Sequence, residues 1–271
     1  MVHLLPVPRV TLLVRSLTPR TIDAARATSA RARLDGVAVA MDHRHLLPGP
    51  WHPPIHTTVD SLWLPVAPGR LLSEWRRGRL VGTASGFTTP RLVVPWAVGS
   101  GKDGERQASA GLIAELNRHV TAGRITLAIS PDNRHPVREQ LMAMSALRRL
   151  AEEWDYDIAL DLSGRHDGPW EAEAALHRLM PRLTTVRIGP LSRVGWTVST
   201  DLRLANRVLT AARDIAFTGT FVITSSEGPL PFGRDGARRV AVVATMIRDR
   251  FAPDSGVWPP SRSSEPSRWV V

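Results

Sequence analysis

The feature that most constrains this 271-residue chain is a repeated alternation. Short β-branched or apolar runs alternate with longer segments of helical spacing. The runs are Val10 to Val14, Val37 to Met41, Ser61 to Val66, Arg91 to Ala97, Ile125 to Ile129, Ile158 to Leu162, Thr185 to Ile188 and Gly219 to Thr224. They are short and largely apolar, which suits a parallel sheet covered on both faces.

Between the runs lie helical patterns. Thr18 reads as an N-cap with Pro19 at the first helical position, and the helix runs to about Leu34 before Asp35-Gly36 ends it. Leu112, Ile113, Leu116 and Val120 share a face that Gly123 closes. Leu141, Met144, Leu147, Ala151 and Trp154 mark a long helix, and Gly168-Pro169 opens another through Leu176, Leu179 and Met180. Leu202, Ala205, Val208, Ala212 and Ile215 mark the next, and Val240, Val243, Ala244, Ile247 and Phe251 the last.

Eight strands close a barrel, and about 250 residues is its usual length. The expectation is an α/β fold, a single (β/α)8 TIM barrel over residues 1–251. A doubly wound open sheet is the competing fold, but the first strand lacks the Gly-rich dinucleotide fingerprint. The segment from Asp42 to Thr58 holds Pro48, Pro50, Pro53 and Pro54, which bars a regular helix there. Residues 252–271, with Gly256, Pro253, Pro259, Pro260 and Pro266, read as a disordered or surface-draped tail.

Composition narrows the chemistry. There is no cysteine, so disulfides and thiolate metal ligands are out, which fits a cytoplasmic protein. No apolar run reaches membrane-spanning length. Pro6, Pro8 and Arg9 interrupt the apolar start, and no signal peptide is expected. The formal net charge of +10 comes almost entirely from arginine, with Lys102 the only lysine. It is spread along the chain with no nucleic-acid-binding motif, so nucleic acid is not an expected partner. Lys102 sits in a glycine-rich stretch from Gly99 to Gly104, which argues against Schiff-base chemistry. No GxSxG elbow or Walker A loop is present.

From Arg124 onward the chain resembles the xylose isomerase-like barrels of the sugar phosphate isomerase/epimerase superfamily. Leu150-Ala151-Glu152-Glu153-Trp154, a turn and Ile158-Ala159-Leu160-Asp161-Leu162 are similar to that family's fifth helix and sixth strand. Arg182-Leu183-Thr184-Thr185-Val186-Arg187-Ile188 is similar to its seventh strand, and Phe217-Thr218-Gly219-Thr220-Phe221-Val222-Ile223 to its eighth. The resemblance implies metal ligands at the ends of strands five to eight: glutamate, aspartate, histidine and glutamate. Ser130, Asp161, Arg187 and Ser225 stand at those positions, and only Asp161 keeps the family's residue type. Serine is a poor ligand, and a fixed guanidinium opposes a divalent cation. The expectation is therefore a degenerate metal site, with no metal and no cofactor.

Barrel enzymes place their chemistry at the C-terminal strand ends. Asp161 and His166 follow strand six, where a carboxylate orienting an imidazole would suit acid/base work. Asp161 serving only to anchor loop amides is the competing reading. Arg187 needs an anion, either Asp161 or a ligand's carboxylate or phosphate. Arg15, Ser130, Ser225 and Glu227 are further candidates for substrate contact, and Trp96 for stacking on a ring. His43 and His45, two apart, would both reach one ligand or metal on an extended segment, with Asp42 or Glu227 completing it; a solvated loop is the alternative.

Three functions compete. The first is a metal-independent isomerase, epimerase or lyase-like enzyme acting on a small oxygenated carbonyl compound. The second is a non-catalytic binding or scaffold barrel that has lost the ancestral metal site. The third, an endonuclease of the same superfamily, needs metal ligands that the chain lacks. In the first two the partner is a small molecule with an anionic or carbonyl group, with no membrane involvement; an oligomer is compatible with either.

Overall fold

The computed structural model describes residues 7–15, 17–41, 43–46, 57–65, 73–97, 110–116, 118, 123–130, 137–162, 169–191, 199–225 and 234–252. Eight parallel strands close into a barrel: β1 (Arg9–Val14), β2 (Gly36–Ala40), β3 (Ser61–Trp63), β4 (Arg91–Ala97), β5 (Arg124–Ser130), β6 (Asp157–Leu162), β7 (Leu183–Leu191) and β8 (Thr220–Ser225). Each strand pairs with its neighbours in sequence, and β8 returns to β1 through Arg9 opposite Thr220 and Leu13 opposite Thr224. Among the described residues seven helices surround it: α1 (Pro19–Arg31), α2 (Glu74–Ser85), α3 (110–116), α4 (Val137–Glu153), α5 (Pro169–Leu179), α6 (Ser199–Asp214) and α7 (Arg234–Phe251). The barrel predicted from the alternation is the observed fold.

Strand periodicity sorts the apolar residues into two clusters. Leu13, Ala38, Ala40, Trp63, Val93, Ala128, Ala159 and Val222 form one, inside the barrel. Leu12, Val39, Leu62, Val94, Leu160, Val186 and Ile223 belong to the other, packed beneath helical residues such as Ile22, Leu80, Leu147, Leu176, Val208 and Ile247. The interior set is mostly small, so one large side chain, Trp63, takes much of the space. Further toward the strands' N-terminal ends the same inward positions carry Thr11, Ser61, Thr126 and Thr185, all buried. Arg91 reaches this level, donating to Thr220 Oγ1 at 2.7 Å. Ion pairs then knit the N-terminal rim: Arg9 with Asp60 at 2.8 Å, Arg182 with Asp155 at 2.7 Å and Arg248 with Asp35 at 3.2 Å. Part of the arginine excess is thus rim structure.

Three helices end on left-handed residues other than glycine: Arg33, Asp155 and Ala216. After each, the next amide bonds back to a carbonyl five residues earlier: Leu34 to Ser29, Tyr156 to Ala151 and Phe217 to Ala212. These are Schellman-type closures with an apolar residue following the turn, and they carry the chain straight into the next strand.

The structure departs from the sequence reading in three places. α2 has no counterpart among the expected helices, because Arg76, Arg77, Gly78, Arg79 and Gly82 dilute a buried stripe of only Leu80, Val81, Thr83 and Ala84. β3 ends at Trp63 rather than Val66, and Pro65, which lacks an N–H, follows shortly after. A two-residue ladder, Thr57–Thr58 beside Phe87–Thr88, is too short to show a period. Residues 253–271 and 47–56 lie outside the described residues, as does Asp42.

Candidate functional site

The C-terminal end of the barrel is organised around Arg187. On β7, Thr185, Arg187 and Gly189 take inward positions while Val186 and Ile188 face the helices, as the expected alternation requires. Arg187 is opposite Asp161 on β6 and Val222 on β8. Its Nη1 donates to Asp161 Oδ2 at 2.9 Å, and its Nε donates to Thr224 Oγ1 at 2.9 Å. Its guanidinium carbon lies 5.3 Å from the centre of the Trp63 ring, which crosses the interior from β3. Trp63 in turn donates its indole N–H to Ser61 Oγ at 3.1 Å.

The Arg187 side chain is only 9% exposed and that of Asp161 24% exposed. Burial pulls the guanidinium below its ordinary pKa, the Asp161 carboxylate opposes that pull, and the Arg15 cation adds to it. An arginine nevertheless stays protonated in a protein. The level is therefore a fixed charge pair, with Arg15, exposed just past β1, as a second cation within electrostatic reach.

Gly189 makes room for this arrangement. Its φ is +150°, and a Cβ there would stand 2.7 Å from both Cβ and the carbonyl oxygen of Thr224, the residue that holds Arg187. The β7–β8 register shifts at the same level, between Ile223 and Ser225.

The other expected site residues divide three ways. Ser130 and Ser225 end β5 and β8, opposite Ala97 and Leu191 in the ladders. His43 and His45 lie in a 3-10 turn, His43–Leu46, rather than on an extended segment. His45 is half-buried, and its carbonyl accepts from Arg79 Nε at 2.8 Å. Trp96 is a correction. It packs against the helix-facing cluster and edge-on to Trp154 at 6.2 Å, because its position on β4 points outward. It belongs to the outer core rather than to the mouth. His166 and Glu227 lie outside the described residues.

Sequence reasoning missed Thr224. Its one signal is inward parity with Thr220 and Val222, which does not distinguish a functional threonine from a packed one.

A divalent cation does not suit the donors among the described residues. Asp161 already accepts from the Arg187 guanidinium, a fixed positive charge that opposes a cation beside it. Among the described residues, no three His, Asp or Glu side chains cluster to hold a metal ion. No helix among them is long and apolar enough to cross a membrane.

Architecture places the chain in a definite structural class, the (β/α)8 barrels, with an arginine–aspartate pair at the C-terminal ends of β6 and β7. No protein-family model and no curated protein matches the sequence. Solved structures do match. A D-allulose 3-epimerase from Methylomonas sp. is 18% identical, with a TM-score of 0.57 over 90% of this chain and 98% of that one. A 3-keto-D-glucoside 4-epimerase from E. coli is 16% identical, with a TM-score of 0.52 over 89% of this chain and 99% of that one. A xylose isomerase domain containing protein from Salmonella typhimurium LT2 is 10% identical, with a TM-score of 0.53 over 88% and 97%. At these identities the likeness is one of fold.

Proposed function

We propose that this barrel is a metal-independent isomerase or epimerase acting on a small oxygenated carbonyl compound, sugar-like in character. The supporting observation is the partly buried Arg187–Asp161 pair at the C-terminal ends of β6 and β7, where barrel enzymes keep their chemistry. The structural neighbours named as epimerases of a ketose and a ketoglucoside support the substrate class. In this reading Asp161 and His166 move the proton beside the carbonyl, and Arg187 binds the oxygen-rich end of the molecule. Arg15, Ser130, Ser225, Glu227, His43 and His45 are candidates to line the rest of the mouth.

The test is carbon-bound hydrogen exchange. Protein stripped with chelator is incubated in D2O with ketoses, sugar phosphates and sugar acids, and deuterium beside the carbonyl is read by NMR. Incorporation above the protein-free rate is the expected result.

One observation favours a second reading, a binding barrel without catalysis. Arg187 and Asp161 neutralise each other without a ligand. Saturable binding of a compound with no exchange into it would establish that reading instead.

A further inference from the structure

Arg187 is held on three sides. Nε is bonded to Thr224, Nη1 to Asp161, and the face of Trp63 lies against the guanidinium. Trp63 cannot easily yield, since it is 3% exposed and its N–H is tied to Ser61. The third nitrogen differs. Nη2 has no hydrogen-bond partner among the described residues, and the side chain keeps 9% of its exposure. The result is a planar cation, fixed in orientation, with one N–H edge that no described residue engages.

We propose that Arg187 is the electrophile of the reaction: its Nη2 edge donates to the substrate carbonyl and stabilises the oxyanion formed there, in the place a divalent cation would take. This rests on the isomerase reading above. The step balances without a co-reactant. A base of the site takes the C–H proton beside the carbonyl, and the electron pair moves onto the carbonyl oxygen to form an enediolate. Return of a proton to carbon restores the carbonyl. Donors already aimed at the developing charge, in surroundings poor in water, gain most from such an arrangement because they need not reorganise. The pairing with Asp161 and the ring beneath supply that rigidity. Trp63 is then a positioning residue, acting through Arg187.

The test uses the exchange reaction, with folding of each variant checked by near-UV circular dichroism. Arg187→Gln is expected to lower kcat about 10²–10³-fold, the usual loss for one oxyanion donor. KM should move far less, and added guanidinium ion should restore part of the rate. Arg187→Lys keeps the charge but loses the planar fork, and is expected to lose roughly tenfold or more in kcat; it carries the test if the glutamine variant does not fold. A raised KM with unchanged kcat in either variant overturns the proposal, because Arg187 would then only bind substrate. Exchange that chelator abolishes and manganese restores also overturns it, while leaving the isomerase reading intact. If the wild type catalyses no exchange with any of the compounds, the reading falls, and this inference with it.

Discussion

Arg187 and Asp161 bridge neighbouring strands through a 2.9 Å contact, but they do not share their burial equally. The arginine side chain is 9% exposed and the aspartate 24%, so removing one partner is not equivalent to removing the other. Asp161→Ala leaves a guanidinium uncompensated in the interior and should cost about 3–5 kcal/mol. Arg187→Ala leaves a carboxylate that water reaches in part, and should cost about 1–3 kcal/mol. Urea unfolding of both variants checks the order; an equal or reversed ranking would show that Asp161 is the more confined partner. Combining Asp161→Leu with Arg187→Met in one chain should recover much of the loss, since both members of the pair are removed together.

Two backbone positions predict opposite effects of the same methyl group. Gly189→Ala places a Cβ against Thr224 in a conformation that L residues avoid, and should destabilise by at least about 1–3 kcal/mol while disturbing the Arg187 contact. Ala216 has φ +52° at the end of α6, so Ala216→Gly should stabilise by roughly 0.5–1 kcal/mol. Thermal and urea melts of the pair would show whether the turn geometry is as described.

Tyr156 is the chain's only tyrosine, so absorbance at alkaline pH reports it alone. It lies edge-on to Trp154 at 5.9 Å, and burial raises its phenol pKa. Its titration midpoint should lie above the ordinary value of about 10. The fold then binds this proton more tightly than the unfolded chain does. Tyr156 therefore contributes stability that is complete below about pH 10 and is lost as pH rises through the folded midpoint. Tyr156→Phe should remove that alkaline component of the stability profile and leave neutral pH little changed.

Metal content tests the site directly. With the Arg187 guanidinium bonded to Asp161, purified protein should hold less than one equivalent of zinc, manganese or magnesium per chain. Elemental analysis finding a tightly held stoichiometric metal would overturn this, and would point to ligands outside the described residues.

Much of the fold was legible because the period of the sequence changes with the structure. The apolar runs of β4, β5 and β6 differ from their observed bounds by at most a residue, and the heads of α1 and α5 were marked by Pro19 and Pro169. The inward direction of Arg187 followed from the outward apolar pair Val186 and Ile188. α2 was not legible, because its stripe is short and three arginines and two glycines interrupt it. Trp96 was assigned to the mouth because it lies near a strand end; its parity on β4, set by Val94 on the same outward face, was the better guide.

By itself, the sequence determined the alternation of elements, the number of strands and which residues of β7 face inward, since all of these depend on local periodicity along the chain. Tertiary structure alone decided which groups meet. Trp63 on β3 reaches Arg187 on β7 because the barrel is lined by small residues such as Ala38, Ala128 and Ala159, which leave its centre open to one large ring. Thr224 meets the same guanidinium because Gly189 brings β7 close to β8. Such contacts depend on strand stagger and barrel closure, which arise only when all eight strands are in place, so no local window of sequence encodes them.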